Sequence, residues 1–136
     1  MKDSTFHFVI PSDLAGMREV QSPIMDAVAA HGFDGDGSHA IQLALEEGLI
    51  NAIKHGNKLN IHKRVTVDAK VTDTTAELII HDEGAGFIRG DVPDPLHEDN
   101  LEKPSGRGLL LIESYMTEVS YSDGGRRVKM VFKKKG

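Results

Sequence analysis

The sequence predicts an α+β domain, a two-layer sandwich whose mostly antiparallel mixed sheet carries helices on one face. Three observations predict it. Two stretches place apolar residues at helical spacing. Several others alternate apolar and polar residues with period two. The segments do not follow the regular β-α alternation of a doubly wound fold. With 136 residues, the chain fits a single domain over residues 1–136 with one sizeable core.

Residues 5–10 (TFHFVI) read as a strand that Pro11 stops. Ser12 is placed to cap a helix running to about residue 30, with Leu14, Met17, Ile24, Met25 and Val28 on its apolar side and His31-Gly32 at its end. Residues 32–38 (GFDGDGS) are rich in turn formers. Ser38 then caps a second helix over residues 39–55, where Ile41, Leu45, Leu49, Ala52 and Ile53 form one stripe and Gly56-Asn57 is the stop. Strands follow at about 63–72 and 75–82. Residues 84–105 show no periodicity and hold several glycines, prolines and acids. A loop of that length is often functional, and about 88–105 is expected to be a lid. A third helix spans about 106–116. Two closing strands, about 117–122 and 126–134, are joined by Asp123-Gly124-Gly125, a hairpin signal. The basic residues Arg126, Arg127, Lys129, Lys133, Lys134 and Lys135 are expected to guard an edge strand.

Composition removes several function classes. The net charge is −5, and aromatics make up 5% with no Trp, which counts against a nucleic-acid binder. The absence of Cys excludes disulfides, thiolate metal sites and cysteine nucleophiles. The histidines show no zinc-type spacing. No signal-peptide pattern or membrane-length apolar run is present, so a cytoplasmic protein without a membrane partner is expected.

Three constellations carry chemistry. On the second helix, Glu47 and Asn51 are four apart, with Lys54 and His55 three and four further on. A carboxylate, an amide, an ammonium and an imidazole suit a phosphate–magnesium site, because Mg²⁺ prefers oxygen ligands and keeps several waters. Taken alone, the stripe fits a solvated helix face better, by about two to one. Glu46, five residues before Asn51, is turned off that face. Next, Asp82 ends an apolar strand and Gly84 and Gly86 follow. A carboxylate there suits an exocyclic amine such as that of adenine, and glycines let a planar ring approach the main chain; a simple strand-ending turn has the same composition. Finally, Gly106-Arg107-Gly108-Leu109 opens directly into an apolar helix, whose free amides and dipole favour phosphate. It lacks the Lys-Ser or Lys-Thr of the Walker pattern.

Together, and in this order, the three resemble the boxes of the GHKL ATP-binding superfamily. EEGLINAIKHGN looks like its N box, DEGAGF like its G1 box and SGRGLLLI like its G2 box. The resemblance covers nearly the whole chain and implies the Bergerat fold, with nucleotide under a mobile lid. Histidine kinases usually carry Asn where this chain has Glu47, and the stand-alone size with G-R-G-L-x-L-I is most similar to the anti-sigma-factor serine/threonine-protein kinases of bacterial partner switching.

That resemblance implies ATP and Mg²⁺ as cofactors. It makes Glu47 the catalytic base and Asn51 the Mg²⁺ ligand. Asp82 becomes the adenine-recognising acid, with Gly84 and Gly86 in the adenine pocket. Gly106, Arg107, Gly108 and Leu109 form the phosphate loop and helix start, and Lys54 and His55 fall where phosphate-contacting side chains often sit. The implied partners are an anti-anti-sigma (antagonist) protein and a sigma factor or similar regulator, and a homodimer stays open. The alternative is a non-catalytic ATP-gated protein-binding module; the acid at Glu47 favours the kinase, since binding alone needs no base.

Overall fold

Alternating side chains sort the sheet into two faces. In the computed structural model, which describes residues 2–86 and 106–135, strand β2 (Arg64–Val71) buries Val65, Val67, Ala69 and Val71. Strand β3 (Thr75–His81) buries Ala76, Leu78 and Ile80. Strands β1 (Ser4–Pro11), β4 (Glu118–Ser122) and β5 (Arg127–Lys133) complete a sheet of order β1-β2-β3-β5-β4. Register keeps the apolar face continuous: Phe8, Val67, Ile80 and Val128 stand opposite one another across four strands. Every pairing is antiparallel, so the sheet is not mixed.

Helices α1 (Met17–Ala30), α2 (Gly35–Ile50) and α3 (Gly106–Tyr115) lie on the apolar face. The stripe of Ile41, Leu45, Leu49, Ala52 and Ile53 is buried as its spacing requires. Two helix starts differ from expectation. Asp13, not Ser12, caps the turn before α1, accepting from the Ala15 N–H at 3.0 Å. Ser12 is buried instead and donates to the Lys63 carbonyl at 2.7 Å. Asp34, not Ser38, caps α2, accepting from the Gly37 N–H at 2.9 Å. The helix thus begins inside the glycine-rich stretch, where Gly37 leaves room for the Phe132 ring. The lid expected at about 88–105 lies outside the described residues.

The basic C-terminal strand is not an edge. β5 lies between β3 and β4, and its charges pair across the open face: Lys129 with Glu77 at 2.9 Å and Lys133 with Glu118 at 3.2 Å. At the far side, buried His31 sits between Asp73 (Nδ1 to Oδ1, 2.7 Å) and Ser4 (Nε2 to Oγ, 3.1 Å). It ties the end of α1 to β1 and to the β2–β3 turn.

Candidate functional site

After Ile50 the second helix widens into a π-helical turn, Asn51–Gly56, closed by the Asn57 N–H donating to the Ala52 carbonyl at 2.8 Å. Such turns frequently mark functional sites. Asn51 stands at its start, one helical turn beyond Glu47. Both polar atoms of the Asn51 side chain are buried and lack a hydrogen-bond partner among the described residues. An unmet buried amide costs about 1–3 kcal/mol, so the residue fits a ligand that completes it. An amide oxygen is a donor that Mg²⁺ accepts. Glu47 is half-buried, and burial, then the neighbouring Glu46, raises its carboxyl above the usual range. Burial, then Lys54, holds the half-buried His55 imidazole below its ordinary value. Lys54 is exposed.

Asp82 follows β3 and meets this turn directly. Its N–H donates to the Arg126 carbonyl at 2.9 Å, and its Oδ1 accepts from the Gly84 N–H at 2.8 Å. Burial pushes its carboxyl up, against the opposing pull of the Gly84 N–H, His81 and Arg126. Two glycines make the contact sterically allowed. A Cβ on Gly56 would lie 2.5 Å from Asp82 Oδ2, and one on Gly84 would lie 2.0 Å from the Gly56 carbonyl oxygen. Gly86, at φ +77°, passes so close to the β4–β5 turn that a Cβ would lie 2.2 Å from the Gly124 carbonyl oxygen. The glycines at 84 and 86 therefore serve backbone packing within the protein, besides any room they leave for a ring.

Gly106 and Arg107 open α3, so the first amides of that helix lack intrahelical partners. Gly108 and Leu109 are buried; Leu109 therefore has its main chain to offer an anion, not its side chain. α3 packs against α2, which places this helix start on the same layer as Glu47 and Asn51.

Three residues of the site went unread in the sequence. Gly56 looked like a helix stop, yet the residues in left-handed backbone are Lys58 and Leu59. Asn57, taken as part of that stop, is buried and holds three segments together. Its Nδ2 donates to Ser12 Oγ at 2.8 Å and to the Arg64 carbonyl at 3.0 Å, and its Oδ1 accepts from the Glu83 N–H at 2.8 Å. Glu83 returns a bond to the Arg64 N–H. Arg126, read as part of a basic strand, wraps the Asp82 loop. An unusual HGN ending to an amphipathic helix was the available signal for Gly56 and Asn57; nothing local marked Arg126.

No cluster of three or more His, Asp or Glu side chains able to hold a metal occurs among the described residues. No helix among them is long and apolar enough to cross a membrane. The chain is 29% identical over 98 residues to an anti-sigma F factor of Clostridium perfringens, covering 70% of each chain. It is 32% identical over 81 residues to an anti-sigma F factor of Oceanobacillus iheyensis, covering 58% of this chain and 56% of that one. Among solved structures it resembles the RsbU and RsbW domains of Rv1364c from Mycobacterium tuberculosis, with a TM-score of 0.65 and 17% identity. That likeness spans 97% of this chain but 32% of the other, and it speaks for the fold. Residues 10–132 match the histidine kinase-like ATPase domain, from the first strand to the last and through all three constellations. The chain belongs to the histidine kinase-like ATPase domain family.

Proposed function

We propose that this chain is an ATP-dependent protein serine/threonine kinase of the anti-sigma type, working in the cytoplasm. In this reading it phosphorylates a small antagonist protein and sequesters a sigma factor or similar regulator. The observation that carries it is the pair of buried Asn51 polar atoms with no partner among the described residues, one turn from a half-buried Glu47 and on the helix that abuts Asp82. The similarity to anti-sigma F factors supports the choice of partners.

Asp82 accepts a hydrogen bond from the exocyclic amine of adenine, and Gly84 and Gly86 let the ring lie near the main chain. The α3 start, from Gly106 through Arg107 and Gly108 to Leu109, attracts phosphate oxygens with the positive end of its helix dipole. His55 faces the phosphates as a neutral donor, and Lys54 adds charge from the rim. Asn51 Oδ1 would hold Mg²⁺, which supplies charge neutralisation on the phosphates when bound. Glu47 takes the proton of the attacking serine hydroxyl; a carboxyl raised by burial is a stronger base than an exposed one.

The test is transfer of labelled γ-phosphate from ATP to candidate antagonist proteins. Glu47→Gln keeps the shape and removes the base, so transfer should fall by about 10²–10⁴ while ATP affinity stays within a few-fold. Transfer at the wild-type rate in that variant removes Glu47 from the base role. A wild-type chain that binds ATP and grips a partner without phosphorylating it is an ATP-gated binding module.

A further inference from the structure

We propose that Arg126 is a positioning residue of the nucleotide-base pocket, locking the loop that carries Asp82 onto the β4–β5 turn. The inference rests on the assignment of Asp82 to the base. Three bonds fix the guanidinium. Its Nε donates to the Gly84 carbonyl at 2.8 Å, one terminal nitrogen donates to the Asp123 carbonyl at 2.9 Å, and the other approaches the Ala85 carbonyl at 3.4 Å. The backbone of the same residue closes the clamp, since its carbonyl accepts the Asp82 N–H at 2.9 Å. Arg126 thus grips Asp82 and the two residues after Glu83 from main chain and side chain at once.

The turn around it is built to allow this. Asp123, Gly124 and Gly125 all take left-handed backbone, at φ 50°, 64° and 89°. A Cβ on Gly124 would lie 2.9 Å from a guanidinium nitrogen, and one on Gly86 would lie 3.5 Å from the arginine Cγ. A lysine cannot reproduce the fork, because an ammonium on a single stem does not bridge carbonyls held in different directions. The guanidinium also sets the field at Asp82. The charged groups acting on that carboxylate are Arg126 and Asp123 from the turn and His81 from its own strand. The helix side presents Gly56, which has no side chain. Arg126 favours the ionised form, the form able to accept from an amine. A carboxyl already raised by burial rises further when this charge is removed.

Calorimetric ATP titration across pH tests the assignment, using wild type, Arg126→Gln, Arg126→Lys and Asp82→Asn. Arg126→Gln should weaken ATP about 5–30-fold, with the acid limb of the affinity profile moved to higher pH. Arg126→Lys should weaken ATP with the acid limb near its wild-type position, and it serves if the Gln variant loses its fold. In an Asp82→Asn background, Arg126→Gln should change affinity by no more than about two-fold, since the carboxylate it positions is gone. Wild-type affinity and an unmoved profile in Arg126→Gln, while Asp82→Asn still weakens ATP, overturns the role of Arg126 and leaves the pocket standing. Equal affinity in wild type and Asp82→Asn overturns the base-pocket assignment, and this inference with it.

Discussion

Adding one methyl group at Gly56 tests the geometry of the site with little other change. A Cβ there would lie 2.5 Å from Asp82 Oδ2, 2.6 Å from its Cγ and 2.9 Å from Oδ1. Ordinary contact begins near about 3.5 Å, so the carboxylate must retreat by about 1 Å. It cannot do so freely. Oδ1 is held by the Gly84 N–H at 2.8 Å, and Gly84 is itself seated against the Gly56 carbonyl. The methyl group therefore costs either that bond or the pose proposed for Asp82 at adenine. A charged hydrogen bond is worth about 1.5–3 kcal/mol, which is about 10–150-fold in ATP affinity. Overpacking costs stability by about 1–3 kcal/mol, and replacing a helical glycine returns about 1 kcal/mol of it. Affinity should thus fall by more than stability does. Calorimetry with ATP gives the first quantity and urea unfolding the second. Gly35→Ala is the control, since a Cβ there meets nothing within 4 Å, and its affinity should equal the wild type. A folded Gly56→Ala protein that binds ATP within about two-fold of wild type refutes the placement of Asp82 at the base.

Two further outcomes follow from the surrounding structure. Asn57→Ala should destabilise by about 2–4 kcal/mol in urea unfolding, because one buried and two part-buried hydrogen bonds lose their partner at once; a loss well under that range removes Asn57 as the tie between the helix end and the Asp82 loop. The His31 hydrogen bond holds the Asp73 carboxyl below the usual carboxylate range, so its contribution is full above the ordinary carboxylate pKa and disappears as pH falls through the depressed value. Asp73→Asn should therefore be less stable than wild type near neutrality, the gap closing in strong acid; a gap independent of pH contradicts the stabilising role of the His31–Asp73 hydrogen bond.

Periodicity carried most of the fold because burial acts on side chains at regular spacing. Val65, Val67, Ala69 and Val71 must share a face whatever the rest of the chain does, and so must Ile41, Leu45 and Leu49. Helix starts were less legible. Ser12 and Ser38 each have a competing aspartate within four residues, and the competitor caps in both cases. Ser12 was drawn away by a partner 51 residues distant, the Lys63 carbonyl, which no local pattern contains. Strand order was illegible for the same reason: the sheet inserts β5 between β3 and β4, turning an expected edge into an interior strand. Within the site, single residues at fixed spacing were readable. The contacts that set them in place were not, since Gly56 against Asp82 and Arg126 against Gly84 join segments 26 and 42 residues apart.

Several unfavourable features among the described residues fall close together. Asp82 and Glu47 have carboxyls raised by burial. A raised carboxyl binds its proton more tightly folded than unfolded, so its ionised form works against folding near neutrality and the penalty lifts as pH falls through the raised value. Asn51 has two buried polar atoms with no hydrogen-bond partner among the described residues. Lys58 and Leu59 hold left-handed backbone just past the π-helical turn. All lie at the end of the second helix or on the loop it touches. The three side chains suit different things: an amide oxygen accepts a cation, a buried carboxylate accepts an N–H donor, and a half-buried carboxyl of raised basicity accepts a proton. A cation on the phosphates, an adenine amine and a serine hydroxyl are three components of one phosphoryl transfer. Random packing defects have no reason to sort themselves into that set within one helix and its neighbouring loop. This clustering supports the proposed reading, in which the helix end and its neighbouring loop are shaped for Mg-ATP and a hydroxyl acceptor.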